Sequence, residues 1–307
     1  MGRARVSPVA RGAALVSGTI GVLIAAAPTA TASQAAIVDG GTARMLPTGD
    51  GYVRAAPIPA DAVNYVALGD SYSSGVGTGV YDPASGDCAR SPLSYPPLWV
   101  AEHRTASFEF VACSGATTDD VLAGQVPALN IGTDLVTITI GGNDAGFGPV
   151  LVTCTFAPSD DTCVDAVDAA EAFARSELPG RLARTYAAIR QAAPRAQVIV
   201  LGYPRLFDLA PSCGDPLVPN LTRRGKLNEG ADVLNTVIQK TVSQRPGFSF
   251  ADVRGRFASH GVCSADPWIN GPSVPPSVGR YHPNQTGYRA GYLDALDAET
   301  ARGVAAA

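Results

Sequence analysis

The 307-residue chain lacks the sequence features on which several functional classes depend. No Cys-x-x-Cys occurs, and the three histidines, His103, His260 and His282, are not at the spacings of metal ligands. The first 32 residues hold three arginines and no acid, which leaves 20 basic against 27 acidic residues in the remainder, a net charge of −7. We therefore expect no metal and no nucleic-acid partner.

Two motifs of common enzyme families are also missing. The glycine-rich run at 75–79 lacks the third glycine of a dinucleotide-binding loop, because that position holds Val80. No Gly-x-Ser-x-Gly elbow occurs in the chain, which argues against an α/β-hydrolase. We expect no cofactor.

The N-terminal sequence has the features of an export signal. Three arginines precede a mostly apolar stretch at 13–27, and Ala30-Thr-Ala32 offers small residues for cleavage. The stretch is shorter than the ~20 residues that a membrane span requires. We therefore expect a secreted, extracellular protein. The predicted segments are a signal peptide at 1–32, a pro-segment or flexible leader at 33–62, and a catalytic domain at 63–307.

Cysteine is present in a number that indicates disulfides. Six cysteines in an exported chain favour disulfides over a metal site or a catalytic thiol, and they permit 15 pairings among which the sequence alone does not choose. The six are Cys88, Cys113, Cys154, Cys163, Cys213 and Cys263.

The pattern of apolar residues predicts an α/β fold. Short runs rich in Val, Ile, Leu and Phe, typical of strands buried on both faces, alternate with longer segments of helical periodicity. This alternation predicts a three-layer α/β/α sandwich around a central parallel sheet of about five strands. The predicted strands are 63–68, 108–112, 135–140, 196–201 and 248–253. The predicted helices are 97–103, 164–193 with a break at Pro179, 221–242 and 285–298.

Four short motifs along the chain supply the parts of an ester-cleaving site. They place Ser71 in Gly-Asp-Ser-Tyr, Gly115 in Cys-Ser-Gly-Ala-Thr, Asn143 in Gly-Gly-Asn-Asp, and His282 in His-Pro-Asn. A serine nucleophile needs a base to take its proton and donors to hold the oxyanion. Because the first three motifs each follow a predicted strand, they are expected at one edge of the sheet, to which the fourth must return.

Each of these residues also has an ordinary structural explanation. Ser71 could cap a helix, Gly115 and Asn143 could occupy turns, and His282 could be a surface histidine. Their occurrence together in one chain favours a site.

Three further residues could be given a catalytic or binding role, but the sequence does not establish one for any of them. We expect Asp70 and Asp144 to bond loop amides and hold the oxyanion loops rigid, rather than to act as a triad acid or a metal ligand. Trp268 could line an acyl pocket or serve packing alone.

With these motifs, the chain resembles the SGNH, or GDSL-type, serine hydrolases, most closely the secreted bacterial lipases, phospholipases and esterases of that family. The resemblance runs from about residue 65 to 296. It implies Ser71 as nucleophile, His282 as base, and an oxyanion hole formed by Ser71, Gly115 and Asn143. It also implies that the cysteines pair in order along the chain, as Cys88–Cys113, Cys154–Cys163 and Cys213–Cys263.

One position departs from the pattern of that family. Its members often carry Asp three residues before the histidine, where this chain has Gly279. We expect the backbone carbonyl of Gly279 or Arg280 to accept the His282 N–H, which gives a Ser–His dyad. A distant carboxylate, Asp266, is the alternative.

The expected function is hydrolysis of lipid carboxylic esters through an acyl-enzyme on Ser71. A carbohydrate or aryl esterase that removes acetyl or feruloyl groups is one alternative, and a non-catalytic secreted binding protein is another. The expected partner is the ester substrate, with transient contact with lipid aggregates, and the expected state is a monomer.

Overall fold

The computed structural model describes residues 62–273 and 279–305. The predicted signal peptide at 1–32 and nearly all of the predicted leader at 33–62 lie outside these residues. In the described ranges, no helix has both the length and the apolar character that a bilayer crossing demands.

A parallel sheet of five strands forms the centre of the fold, in the order β2-β1-β3-β4-β5. Every residue of the central strand β3 is buried, because helices cover both faces of the sheet. The arrangement confirms the predicted α/β sandwich. The strands are β1 (Val63–Gly69), β2 (Thr105–Phe110), β3 (Leu135–Thr139), β4 (Gln197–Leu201) and β5 (Phe248–Ala251).

Strand β2 differs from its prediction, because it begins three residues earlier, at Thr105, and ends at Phe110 instead of Ala112. It is an edge strand that pairs only with β1, and its outward residues are exposed. An edge strand need not be apolar throughout. The first three residues of β2, Thr-Ala-Ser, are therefore not part of an apolar run, and the prediction, which relied on such runs, left them out.

Helices form in the four predicted segments, and α1, α3 and α4 are additional, of which α4 is the longest. Helix α4 was not predicted, since Gly146, Gly148 and Pro149 indicate a loop. Pro149 is tolerated because it lies in the first turn, where its missing N–H has no intrahelical partner. The helices are α1 (Ser71–Ser74), α2 (Tyr95–Glu102), α3 (Thr118–Asp120), α4 (Phe147–Phe156), α5 (Asp160–Ser176), α6 (Leu178–Ala192), α7 (Leu221–Ser243) and α8 (Asp294–Ala305), with π-helical turns at Val121–Gln125 and Gly287–Leu293.

Candidate active site

Ser71 lies at the carboxyl end of β1, in a sharp strand-to-helix turn. Gly69 has φ +124°, and a Cβ there would lie 2.6 Å from the carbonyl oxygen of Thr139 on the neighbouring strand. Asp70 then caps helix α1, since its Oδ1 accepts from the Tyr72 N–H at 2.9 Å. The turn therefore presents Ser71 as the first residue of a helix, where its own N–H needs no intrahelical acceptor.

His282 returns to the same edge of the sheet and meets Ser71. Its Nε2 lies 2.7 Å from the Ser71 Oγ, and its Nδ1 lies 2.8 Å from the backbone oxygen of Arg280. The Tyr72 ring packs against the imidazole at a centroid distance of 4.8 Å. Burial lowers the pKa of His282 to about 4, so the ring is neutral at neutral pH and can accept a proton.

The loop before His282 is anchored by backbone bonds. Asn270 N–H donates to the His282 carbonyl oxygen and the Tyr281 N–H donates to that of Asn270, each at 2.9 Å. The Tyr72 hydroxyl donates to the Tyr281 carbonyl oxygen at 2.6 Å. These contacts fix the position of His282 relative to Tyr72, and so relative to Ser71, which precedes Tyr72.

Asn143 and Gly115 lie on neighbouring loops beside the serine. The Asn143 Nδ2 donates to the carbonyl oxygen of Ala116 at 2.9 Å, which joins the loops after β2 and β3. Gly115 has φ +80° and is exposed, and it does not line the groove that contains the other three residues. In the described ranges, the backbone N–H groups of Ser71 and Gly115 donate to no protein acceptor. They are free to bind a ligand oxygen.

Asp70 and Asp144, the aspartates of two motifs, form hydrogen bonds that stabilise the loops of the site. The Asp144 side chain is fully buried and accepts from the Thr118 N–H at 3.0 Å and from the Thr118 hydroxyl at 2.6 Å. Asp70 caps helix α1 and also accepts from the hydroxyl of Tyr203. Both contacts agree with the predicted structural role.

Tyr203 is a site residue that the sequence analysis missed. Its hydroxyl donates to the Asp70 Oδ2 and accepts from the Gly142 N–H at 3.0 Å. The signal was available, because Tyr203 follows β4 at the carboxyl edge where the other motifs meet.

A groove of about 320 Å³ opens on Ser71, Asn143 and His282. Its wall is one face of helix α4, on which apolar residues predominate. The residues of that face are Phe147, Gly148, Leu151, Val152, Thr155 and Phe156. An apolar lining of this kind suits an apolar chain whose end lies at the serine.

The alternative carboxylate, Asp266, is engaged away from His282. Its Oδ2 lies 3.4 Å from the His260 Nδ1 and accepts from the Trp268 Nε1 at 3.1 Å. The His260 ring stacks on Trp268 at 3.7 Å. Trp268 therefore packs against His260 and does not line the groove.

The structure pairs the cysteines in order along the chain, as the family resemblance implies. The closed loops span 25, 9 and 50 positions for Cys88–Cys113, Cys154–Cys163 and Cys213–Cys263 respectively. Across residues 62–273 and 279–305, no three His, Cys, Asp or Glu side chains cluster as metal ligands would.

Comparison with known proteins adds evolutionary evidence to this geometry. Residues 67–290 match the GDSL-like Lipase/Acylhydrolase family. Lipase 1 of Streptomyces coelicolor is 46% identical over 239 residues, which cover 78% of this chain and 87% of that protein.

Two crystal structures resemble the chain closely. An extracellular lipase from Streptomyces rimosus superposes with a TM-score of 0.73, and phospholipase A1 from Streptomyces albidoflavus with a TM-score of 0.74. Each is 47% identical to this chain and covers 77% of it and 99% of the solved chain. The matches confirm the resemblance drawn from the four motifs and the enzyme class that it implies, a carboxylic ester hydrolase. The chain belongs to the GDSL-like lipase/acylhydrolase family.

Proposed function

We propose that the protein is a secreted lipase or phospholipase that cleaves carboxylic esters with Ser71 as nucleophile and His282 as base. One observation carries the assignment: the Ser71 Oγ and the His282 Nε2 lie 2.7 Å apart, at the end of an apolar groove. This distance is within the reach that proton transfer from a serine hydroxyl requires.

The reaction proceeds through an acyl-enzyme. His282 takes the Ser71 proton as Oγ attacks the ester carbonyl, and the tetrahedral intermediate then expels the alcohol, which receives that proton from His282. Water next attacks the acyl-enzyme while His282 accepts one of its protons. The second tetrahedral intermediate releases the fatty acid and returns the proton to Ser71.

The oxyanion is held by three donors in this mechanism. The free N–H groups of Ser71 and Gly115 supply two, and the Asn143 side-chain amide supplies the third. Asn143 uses one of its N–H bonds on Ala116, which fixes the amide plane and leaves the second N–H for the substrate. Donors that are oriented before the reaction need not reorganise as charge develops.

The apolar groove supports a lipid ester as the substrate class. The two similar solved structures are a lipase and a phospholipase A1, which supports the same class. Secretion is supported by the export signal, by the six paired cysteines and by the extracellular relative from S. rimosus.

The outer end of the groove supports contact with a lipid aggregate. Val152 and Phe156 on helix α4 are 61% and 70% exposed, and Leu217 across the groove is 41% exposed. These three apolar side chains rim the entrance through which a lipid ester would leave an aggregate. We therefore assign the rim as the surface that touches the aggregate.

The test is turnover of nitrophenyl esters from short to long acyl chains, with phosphatidylcholine and triglyceride alongside. Ser71→Ala is expected to leave a folded protein with activity near background, and Asn143→Ala to lower kcat by about 10²–10³. Retained activity in Ser71→Ala would overturn the assignment. Preference for acetylated or feruloylated sugars over lipid esters would instead favour a carbohydrate or aryl esterase.

A further inference from the structure

A buried tyrosine hydroxyl connects the two loops that carry proposed oxyanion donors. The Tyr203 side chain is only 5% exposed, and its hydroxyl bonds both the Asp70 carboxylate and the Gly142 N–H. Asp70 immediately precedes Ser71, and Gly142 immediately precedes Asn143. One oxygen atom thus contacts the residue before each of the two donors.

The directions of the two bonds are consistent with one hydroxyl proton. The Gly142 N–H donates to the tyrosine oxygen, and the tyrosine O–H donates to the carboxylate. Burial raises the pKa of Tyr203 well above its usual value, so the hydroxyl keeps its proton. Burial raises the pKa of Asp70 to about 7, and the Tyr203 and Tyr72 bonds oppose that rise. The carboxylate therefore depends on Tyr203 for part of its stabilisation.

The tyrosine is itself held in one position. Its backbone N–H donates to the Oδ1 of Asn235 on helix α7 at 2.9 Å, and its carbonyl oxygen accepts from the Asn235 Nδ2 at 2.8 Å. Asn235 is fully buried. The ring also meets the Tyr72 ring edge-on at 5.1 Å. Helix α7 thereby holds the Tyr203 backbone just after β4, and neither element carries one of the four motifs.

Gly142 permits the close approach that the second bond requires. A Cβ at this position would lie 3.2 Å from the Tyr203 hydroxyl oxygen, which is tighter than an ordinary contact. A glycine before Asn143 therefore leaves the space that the Tyr203 hydroxyl occupies.

We propose that Tyr203 is a positioning residue that sets the separation of the Ser71 amide from the Asn143 side chain and so shapes the oxyanion hole. The inference rests on the proposed function and adds a residue outside the four motifs. Without the hydroxyl, the loops after β1 and β3 lose the contact that the Tyr203 oxygen makes between Asp70 and Gly142. Displacement of a catalytic group by about 1 Å can cost roughly 10²-fold in rate.

Tyr203→Phe tests the proposal, because it keeps the ring and removes only the hydroxyl. The readouts are kcat and KM for p-nitrophenyl butyrate and the inhibition constant of butylboronic acid. The boronic acid forms a tetrahedral adduct as the Ser71 oxygen bonds to boron and its proton passes to His282, which places a boronate oxygen in the oxyanion hole. We expect kcat to fall about 10- to 100-fold. KM should stay within about twofold, while inhibition weakens by a factor similar to the loss in kcat.

Two other buried tyrosines provide matched controls. Tyr65→Phe removes a buried hydroxyl that bonds Thr137 at 2.7 Å, away from the groove. Tyr186→Phe removes a buried hydroxyl that has no partner in the described part of the chain. Both variants should keep kcat and boronic-acid inhibition within about twofold of the unmodified enzyme, even where urea unfolding shows that Tyr65→Phe has lost stability.

The outcomes separate this proposal from the proposed function. Inactive Ser71→Ala together with unchanged kcat and inhibition in Tyr203→Phe would overturn the role of Tyr203 alone. An equal loss of kcat in Tyr65→Phe would also overturn it, since the effect would then be general destabilisation. If Tyr203→Phe does not fold, Asp70→Asn is measured in its place. That variant should show the same paired loss of kcat and inhibition, and unchanged values would reject the proposal.

Discussion

The Nδ1 of His282 lies 2.8 Å from the backbone carbonyl oxygen of Arg280, two residues earlier in the chain. This carbonyl occupies the place that a carboxylate takes in a Ser-His-Asp triad, where it fixes the tautomer of the imidazole. A carbonyl can accept the Nδ1–H, but it carries no charge to stabilise the imidazolium. We infer that the protein works with a Ser–His dyad.

Asp266→Asn is expected to lower kcat less than tenfold, because Asp266 contacts His260 and Trp268 instead of His282. Replacing a true triad aspartate by asparagine can cost ~10⁴ in turnover. Steady-state hydrolysis of p-nitrophenyl butyrate measures the effect. A loss of a thousandfold or more, with an unchanged circular dichroism spectrum, would instead identify a conventional triad.

The pH profile of kcat/KM is expected to retain activity well below the usual histidine range. Burial lowers the pKa of His282 to about 4, so the neutral base persists as the pH falls through 6.5 and is protonated only near the lowered value. Asp70, whose pKa burial raises to about 7, titrates at a higher pH than His282, and Asp70→Asn removes its contribution to the profile. The acid limb near the lowered pKa of His282 should remain in Asp70→Asn. A midpoint near 6.5 in both proteins would contradict the prediction.

Most of the sheet and the order of its motifs could be predicted from the sequence, because buried parallel strands are continuous apolar runs. Ser71 and Asn143 follow such strands, and their shared edge follows from parallel topology. Helix α4 could not be predicted, since glycine and proline in its first turn indicate a loop when the sequence is considered alone.

The contacts that complete the site were harder to predict. The bonds from Tyr203 to Asp70 and Gly142 span 133 and 61 positions of the sequence, and no local pattern encodes them. The acceptor for His282 was narrowed to the carbonyl of Gly279 or Arg280 because no acid lies nearby, and the structure places Arg280 there.

All six cysteines of the mature protein are expected to be oxidised, and thiol titration in denaturant without reductant should find none free. Among the three disulfides, loss of Cys213–Cys263 should destabilise the fold most. The chain-entropy model gives about 4 kcal/mol for its loop of 50 positions, compared with about 3.5 kcal/mol for the 25 of Cys88–Cys113. Urea unfolding of the paired Cys→Ala variants compares the two. A free thiol, or the reverse order of stability, would count against this prediction.

Gly148→Leu is expected to shift the substrate preference toward shorter acyl chains. Gly148 lines the groove, and a Cβ at this position would have no atom within 4 Å, so we expect a larger side chain to fit there and to narrow the groove. The ratio of kcat/KM for p-nitrophenyl decanoate to that for the acetate should fall about tenfold, which is about 1.4 kcal/mol of lost transition-state binding.

Gly225→Leu is the matched control for that change, because Gly225 on helix α7 also has no atom within 4 Å of a Cβ and lies away from the groove. Its ratio should stay at the value of the unmodified protein. Equal shifts in the two variants would show that the groove wall does not select acyl length.

Val152→Ser combined with Phe156→Ser is expected to slow hydrolysis of phosphatidylcholine vesicles more than hydrolysis of soluble p-nitrophenyl acetate. Both side chains project into solvent at the groove entrance, so their loss removes apolar surface available to a lipid aggregate without opening a cavity in the core. Burying one such side chain in an apolar environment contributes about 1.5–3 kcal/mol, so vesicle binding should weaken at least tenfold. Ile131→Ser is the control, because Ile131 is 74% exposed and precedes β3, at the opposite edge of the sheet. Sedimentation with vesicles and the two hydrolysis rates distinguish the cases. If the rim and Ile131 variants lose vesicle activity equally, or if acetate hydrolysis falls in parallel, then the rim is not the surface that meets the lipid.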